Sequence, residues 1–237
     1  MNYNDYNNSP QYYNEQSLAS QTSSVLKTVY LKMCLALVVS ALVALYCSTS
    51  WAYLQFISTH SWAIWGLFIV ELVLVFALSG AINKLSSGTA ALLFYVFAAV
   101  NGAALAPIFL VYTHASIVKT FFICAGTFGA MSVYGYFTTQ DLTKFGTYLL
   151  YALFGLIIAS VVNIFTKSST MEWIISGVGV LIFLGLTAYD TQYIRNMIQT
   201  TPQSMHSKLS TYGALNLYLD FINLFLYLLR FFGRSND

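Results

Sequence analysis

The chain has 237 residues, of which 58% are hydrophobic and 8% charged, and its formal net charge is +2. Soluble domains carry roughly 25% charged residues, so this composition, with a mean hydropathy of +0.68, describes an integral membrane protein. The small net charge and the lack of any basic run interleaved with aromatics argue against nucleic acid as a partner.

Residues 1–24 are rich in Asn, Tyr, Gln and Ser and show no apolar period. Such a segment cannot bury enough surface to offset its ordering entropy, which predicts a flexible cytoplasmic tail. It lacks the basic start and apolar core of a secretory signal peptide. Residues 25–237 form the second unit, a seven-helix transmembrane domain. A hydrocarbon core of about 30 Å needs some 20 apolar residues per helix, and seven stretches meet that length: 29–50, 62–82, 88–111, 116–137, 146–166, 172–191 and 210–231. Charged and turn-forming residues separate them, as in Asn83-Lys84-Leu85-Ser86-Ser87 and Gln140-Asp141-Leu142-Thr143-Lys144. The fold class is therefore all-α, with seven membrane helices in one bundle and the last helix expected at its centre. The longest later connection, Arg195 to Ser210, contains Pro202 and His206.

With the tail inside, the inner side receives Lys27, Lys32, Lys84, Lys144, Arg195 and Lys208. The outer loops receive Lys119 and Lys167, with Arg230 and Arg234 at the C-terminus. The positive-inside rule then places the N-terminus in the cytoplasm and the C-terminus outside, in a cell (inner) membrane.

In chain order, the second helix carries a single charge, Glu71, suited either to a structural hydrogen bond with a neighbouring helix or to an ion path. Pro107 interrupts the third helix after Asn101-Gly102-Ala103-Ala104, which fits a pore or an ordinary kink. Gly126, Gly129, Gly177 and Gly179 read as points of close helix contact. Cys34, Cys47 and Cys124 have neither C-x-x-C spacing nor a nearby histidine, and read as small core residues. None of the three histidines has metal-ligand spacing. The sixth helix closes at Asp190. The seventh holds Asp220 in an otherwise apolar run, where a carboxylate at the bilayer centre costs about 2.5–3.5 kcal/mol. At 3.6 residues per turn Asn216, Asp220, Asn223 and Tyr227 share one face, a polar seam turned toward protein or water.

Two carboxylates in a poorly solvated site cannot both ionise cheaply, so they titrate as a coupled pair and act as a proton switch. They are also hard oxygen ligands of the kind calcium takes. The bland alternative has Asp190 capping its helix or pairing with Arg195 in solvent.

The segment Leu217-Tyr218-Leu219-Asp220-Phe221-Ile222-Asn223-Leu224-Phe225, followed by Leu228-Leu229-Arg230-Phe231-Phe232-Gly233, resembles the last helix of the Bax inhibitor-1 (transmembrane Bax inhibitor motif) family. Tyr189-Asp190, Arg195 and the seven-helix count fit the same family, as does Pro107 after its run of small residues. The resemblance implies an ion-leak protein for calcium, governed by an aspartate pair at Asp190 and Asp220. It also implies an arginine latch at the inner end of the second helix. Here that region reads Gly80-Ala81-Ile82-Asn83-Lys84, and a lysine ammonium cannot offer a bidentate fork.

The expectation is a pH-sensitive calcium leak channel or permease, not an enzyme. Asp190 and Asp220 are expected to serve as gate, pH sensor and calcium ligands. Glu71, Lys84, Arg195, Asn216 and Asn223 are candidates for the ion path or latch. No cofactor is implied, calcium being cargo, and the partners are lipid and other membrane proteins. Two alternatives stand: an intramembrane aspartyl protease, which fits Tyr189-Asp190 but lacks Gly-x-Gly-Asp at the second site, and a non-conducting regulator that binds other membrane proteins.

Overall fold

The computed structural model describes residues 9–60, 62–82 and 84–234, with side chains from Leu18 onward. Among these residues there is no strand. The helices are α1 (Ser9–Thr49), α2 (Trp51–Thr59), α3 (Trp62–Ala81), α4 (Ser87–Leu105), α5 (Ile108–Val111), α6 (His114–Phe137), α7 (Thr143–Thr166), α8 (Ser169–Thr200) and α9 (His206–Phe232). Seven spans are long and apolar enough to cross a membrane: α1, α3, α4 with α5, α6, α7, α8 and α9 with the short turn before it. Side-chain caps start several of them. The Ser86 hydroxyl accepts from the Thr89 N–H, and Ser168 does the same for Met171, satisfying donors that a helix start leaves open.

Each predicted span is present, and the differences lie at the ends. Helix α1 begins at Ser9, within the stretch read as tail, and Thr22 is already buried with its hydroxyl on the Leu18 carbonyl. Residues 1–8 lie outside the described residues. The sixth span does not close at Asp190, because α8 continues to Thr200 and shortens the Arg195–Ser210 connection to Thr201–Met205. The polar residues after Asp190 look like a membrane exit but serve the α6–α7 turn. Buried Gln192 accepts from the Leu142 N–H at 2.8 Å and donates to the Gln140 carbonyl at 2.7 Å. Arg195 donates to the Tyr136 carbonyl in the last turn of α6. His206 opens α9, with its ring nitrogen on the Thr201 carbonyl, and is not a free loop residue.

Helix α2 was not expected, and Pro107 explains what it does. A proline removes the hydrogen bond to the carbonyl four residues earlier, here that of Ala103. The Ala106 N–H at 3.2 Å and the Tyr53 hydroxyl of α2 at 2.6 Å both donate to that carbonyl, so the break between α4 and α5 leaves no orphaned acceptor.

Helix α9 is the centre of the bundle, packed by α1, α4, α6 and α8. Its span is 56% buried within the protein and that of α8 50%, against 6% for α7, which leans on the outside of α8. Close contact falls on glycines other than those expected. A Cβ at Gly126 or Gly129 would meet nothing within 4 Å, and one at Gly177 would meet only the Phe231 ring at 3.9 Å. At Gly102 it would stand 2.5 Å from the Ser40 carbonyl, and at Gly135 it would run into the Ala188 backbone. Of the four named from sequence, Gly179 alone is tightly covered, by the Tyr227 ring at 2.7 Å.

Candidate functional site

Because α7 packs chiefly on α8 and stands off α9, a cavity of about 530 Å³ opens among the three helices. Asp190 and Asp220 both line it. The extension of α8 matters here. At 1.5 Å per residue Asp190 lies about 15 Å inside the end of its helix, and Asp220 about 21 Å inside the same end of the bundle. Asp190 is therefore no helix-end carboxylate in solvent, and the sequence reading that placed it there is corrected.

Asp220 is 5% exposed, and its Oδ2 is buried without a hydrogen-bond partner. Asp190 is partly exposed to the cavity and lies within electrostatic reach of Asp220, but no hydrogen bond joins the two carboxylates. The polar seam read from helical periodicity is intact: Asn216, Asn223 and Tyr227 line the same cavity. The Asn223 amide nitrogen donates to the Leu219 carbonyl at 2.8 Å, which leaves its oxygen for the cavity.

The lining also holds Tyr189 and Tyr193 of α8, which periodicity on the last helix could not reveal, and Tyr212, which stands one turn before Asn216 on the same face of α9 and was passed over. Two of the tyrosines are held by glycines. The Tyr189 ring lies against the Cα of Gly146 on α7, and the Tyr227 ring against Gly179 on α8. Tyr189 stacks on Tyr193 at 5.9 Å, and Tyr227 stacks on Phe183 at 5.8 Å. The α7 wall is hydrocarbon, from Leu150, Leu153 and Ile157. The cavity lining contains no lysine, arginine or histidine.

The other candidates lie elsewhere. Lys84 is exposed in the turn between α3 and α4, and Arg195 is engaged with Tyr136 and Asn196, so neither faces the aspartates in this structure. Glu71 belongs to a separate chain of hydrogen bonds, half-buried at Glu71 and Asn101 and buried at Tyr218 and Ser40. Its Oε1 accepts from Asn101 Nδ2 at 2.9 Å, Asn101 Oδ1 accepts from the Tyr218 hydroxyl at 2.8 Å, and that hydroxyl meets Ser40 Oγ at 2.7 Å. The chain ties α3, α4, α9 and α1 together across the bundle. Tyr218 and Asp220 are two residues apart, about 200° around α9, so they serve opposite sides of the central helix.

A further cluster escaped the sequence reading. Lys32, counted there as one of the inner-side positive charges, sits within α1 and gives its ammonium protons to Ser210 Oγ and Thr211 Oγ1 at 2.8 Å and to the Ser207 carbonyl at 3.2 Å. Three neutral acceptors match the three donors of an ammonium. Among the described residues no group of three or more His, Cys, Asp or Glu could hold a metal ion.

The family model described as "Inhibitor of apoptosis-promoting Bax1" matches residues 22–237. The chain belongs to the Bax inhibitor-1 family. Inner membrane protein YbhL of Escherichia coli (strain K12) is 49% identical over 208 residues, covering 86% of this chain and 89% of the relative. A protein of Borreliella burgdorferi is 47% identical over 215 residues, covering 90% and 93%. A membrane protein of Streptococcus pyogenes serotype M3 is 40% identical over 172 residues, covering 73% and 75%.

Proposed function

We propose that this member of the family is a passive, pH-sensitive calcium leak channel or permease, with Asp190 and Asp220 as its gate and sensor. The observation that carries the reading is Asp220, buried with an unpartnered carboxylate oxygen in the same cavity as Asp190. Retaining such a group inside an apolar bundle is costly, and it marks an ion or proton pathway by default.

The groups that face the pair are Tyr189 and Tyr193 from α8 and Tyr212 and Tyr227 from α9, while α7 offers hydrocarbon. Among the described residues the two aspartates are the only carboxyl groups of the lining, so the charge of the cavity rests on them. With one proton between them the pair tolerates its closeness. With both ionised it repels itself and attracts a divalent cation, a local electrostatic bias on the gate. Calcium takes six to eight oxygen ligands. Two carboxylates and the Asn216 and Asn223 amide oxygens supply about four to six of these, so water completes the shell and the ion is held weakly enough to leave.

No enzymatic step and no cofactor is assigned. The membrane is the inner membrane, as named for the Escherichia coli relative, with the N-terminus cytoplasmic by the distribution of Lys and Arg.

The test is calcium flux from proteoliposomes across the neutral pH range, for wild type, Asp190→Asn, Asp220→Asn and the double variant. The expected result is flux down the gradient without ATP, a lost pH response in each single variant, and little further change in the double, since residues acting as one unit are non-additive. Vesicles that stay tight at every pH would refute conduction and favour the regulator. Single variants that keep the wild-type pH midpoint would refute the sensor. Cleavage of a membrane peptide abolished by Asp220→Asn would favour the protease.

A further inference from the structure

The cavity holds more than an inorganic ion requires. At about 530 Å³ it falls within the range of small-molecule sites, and its walls are of two kinds. One side is the hydrocarbon of Leu150, Leu153 and Ile157 on α7, which offers nothing to a hydrated metal ion. The other side carries the two carboxylates and a group of tyrosines. Tyr193 lies within electrostatic reach of both Asp190 and Tyr212, and all three line the cavity. The nearby rings are fixed in place: Tyr189 between Gly146 and Tyr193, and Tyr227 between Gly179 and Phe183. Tyr227 already has a cation over its ring, the Arg230 guanidinium at 5.8 Å.

We propose that this cavity binds organic ammonium cations, an alkylated nitrogen seated between the carboxylates of Asp190 and Asp220 and the rings of Tyr193 and Tyr212, with its apolar groups against α7. Three independent features favour this class. Asp220 lines the cavity and its Oδ2 is buried without a hydrogen-bond partner, so the carboxylate has acceptor capacity that no protein group satisfies. The lining has no basic side chain to neutralise the pair internally. Aromatic rings beside carboxylates attract alkylated ammonium groups by cation–π contact, worth about 0.5–2 kcal/mol according to desolvation, and the apolar wall lowers the cost of seating the alkyl groups. An inorganic cation uses the carboxylate and amide oxygens, whereas an organic ammonium also uses the aromatic rings and the hydrocarbon wall.

The inference rests on the aspartate cavity being the cation site of the proposed function, but its test does not depend on flux. Tetraethylammonium serves as the probe because it is soluble, permanently charged and apolar over its surface. Its binding to the purified full-length protein in detergent is measured by titration calorimetry in calcium-free buffer, with sodium chloride of equal ionic strength as the control. The expected result is saturable binding of tetraethylammonium that sodium does not reproduce. Asp220→Asn should weaken it at least about tenfold. Tyr212→Ala and Tyr193→Ala should each weaken it about 2- to 30-fold, the range a single cation–π contact supports. Tyr212→Phe should leave it unchanged, because the ring is kept and only the hydroxyl is lost. Should Asp220→Asn fail to fold, the three tyrosine variants decide the matter. Absence of saturable binding at millimolar probe, or binding indifferent to Tyr212→Ala and Tyr193→Ala, overturns the proposal. Calcium flux without probe binding would refute this inference alone. Probe binding without flux would sustain it and refute the leak.

Discussion

Replacing Tyr218 with phenylalanine should loosen the bundle without touching the aspartate cavity. Tyr218 is fully buried at 0% exposure, so no water can take over the contacts of its hydroxyl. Phenylalanine keeps the ring and its edge-on packing against Phe94 at 5.8 Å and Phe97 at 5.7 Å. What disappears is the donation to Asn101 Oδ1 at 2.8 Å and the contact with Ser40 Oγ at 2.7 Å. Ser40 still has the Ala98 carbonyl at 2.7 Å, whereas the half-buried Asn101 Oδ1 loses its donor and carries part of the cost of an unsatisfied acceptor. One lost net hydrogen bond contributes about 1 kcal/mol and an unsatisfied buried partner about 1–3 kcal/mol. Hydrogen bonds inside membrane proteins run lower, near 0.6 and at most about 1.7 kcal/mol. The expected loss is therefore about 1–2 kcal/mol. The assay is reversible unfolding in mixed micelles as denaturing detergent is titrated, for wild type, Tyr218→Phe, Glu71→Gln and the double variant. The two substitutions should couple, because Asn101 joins both side chains. Since Tyr218 faces away from Asp220, tetraethylammonium binding should not change. A loss under about 0.3 kcal/mol, or strict additivity with Glu71→Gln, would refute the picture of a connected chain.

Other expectations follow from single contacts. Gly135→Ala must push against the Ala188 backbone, which cannot yield as a flexible side chain can, and should cost at least about 1–3 kcal/mol in the same unfolding assay. Gly129→Ala, where nothing lies within 4 Å, should instead stabilise α6 by about 0.5–1 kcal/mol. Tyr53→Phe removes the shorter of two hydrogen bonds to the Ala103 carbonyl, leaving the Ala106 N–H at 3.2 Å, and should cost about 0.5–1.5 kcal/mol, a cost reduced when Pro107→Ala restores the helical N–H; equal losses in both backgrounds would contradict this. In the α6–α7 turn, hydrogen bonds from the Thr143 hydroxyl and backbone N–H hold the exposed Asp141 carboxyl below its ordinary range. Its support for the start of α7 is thus present above the ordinary carboxylate value of about 3.9 and is lost as pH falls through the depressed one. Amide exchange at Thr143 should quicken at low pH in wild type and be pH-indifferent in Asp141→Asn, beyond the intrinsic exchange rate.

How legible the protein was differs between its fold and its site. The seven spans follow from runs of about 20 apolar residues between charged turns, because a hydrocarbon slab imposes length and apolarity on each helix separately. The seam of Asn216, Asp220, Asn223 and Tyr227 was equally legible, since one helical period places those residues on one face whatever packs against it. The end of α8 was not. Gln192 and Arg195 have the polarity of a loop, and only the folded α6–α7 turn reveals that they clamp its backbone. The glycines of close approach were hidden for the same reason, because whether a missing Cβ matters depends on a neighbour that the local sequence does not name. Composition and period determine which residues enter the membrane and which face of one helix is polar. Which faces meet depends on shape across the bundle: the stand-off of α7 from α9, the tyrosines seated on Gly146 and Gly179, and the placing of Asp190 beside Asp220 arise only when the helices pack.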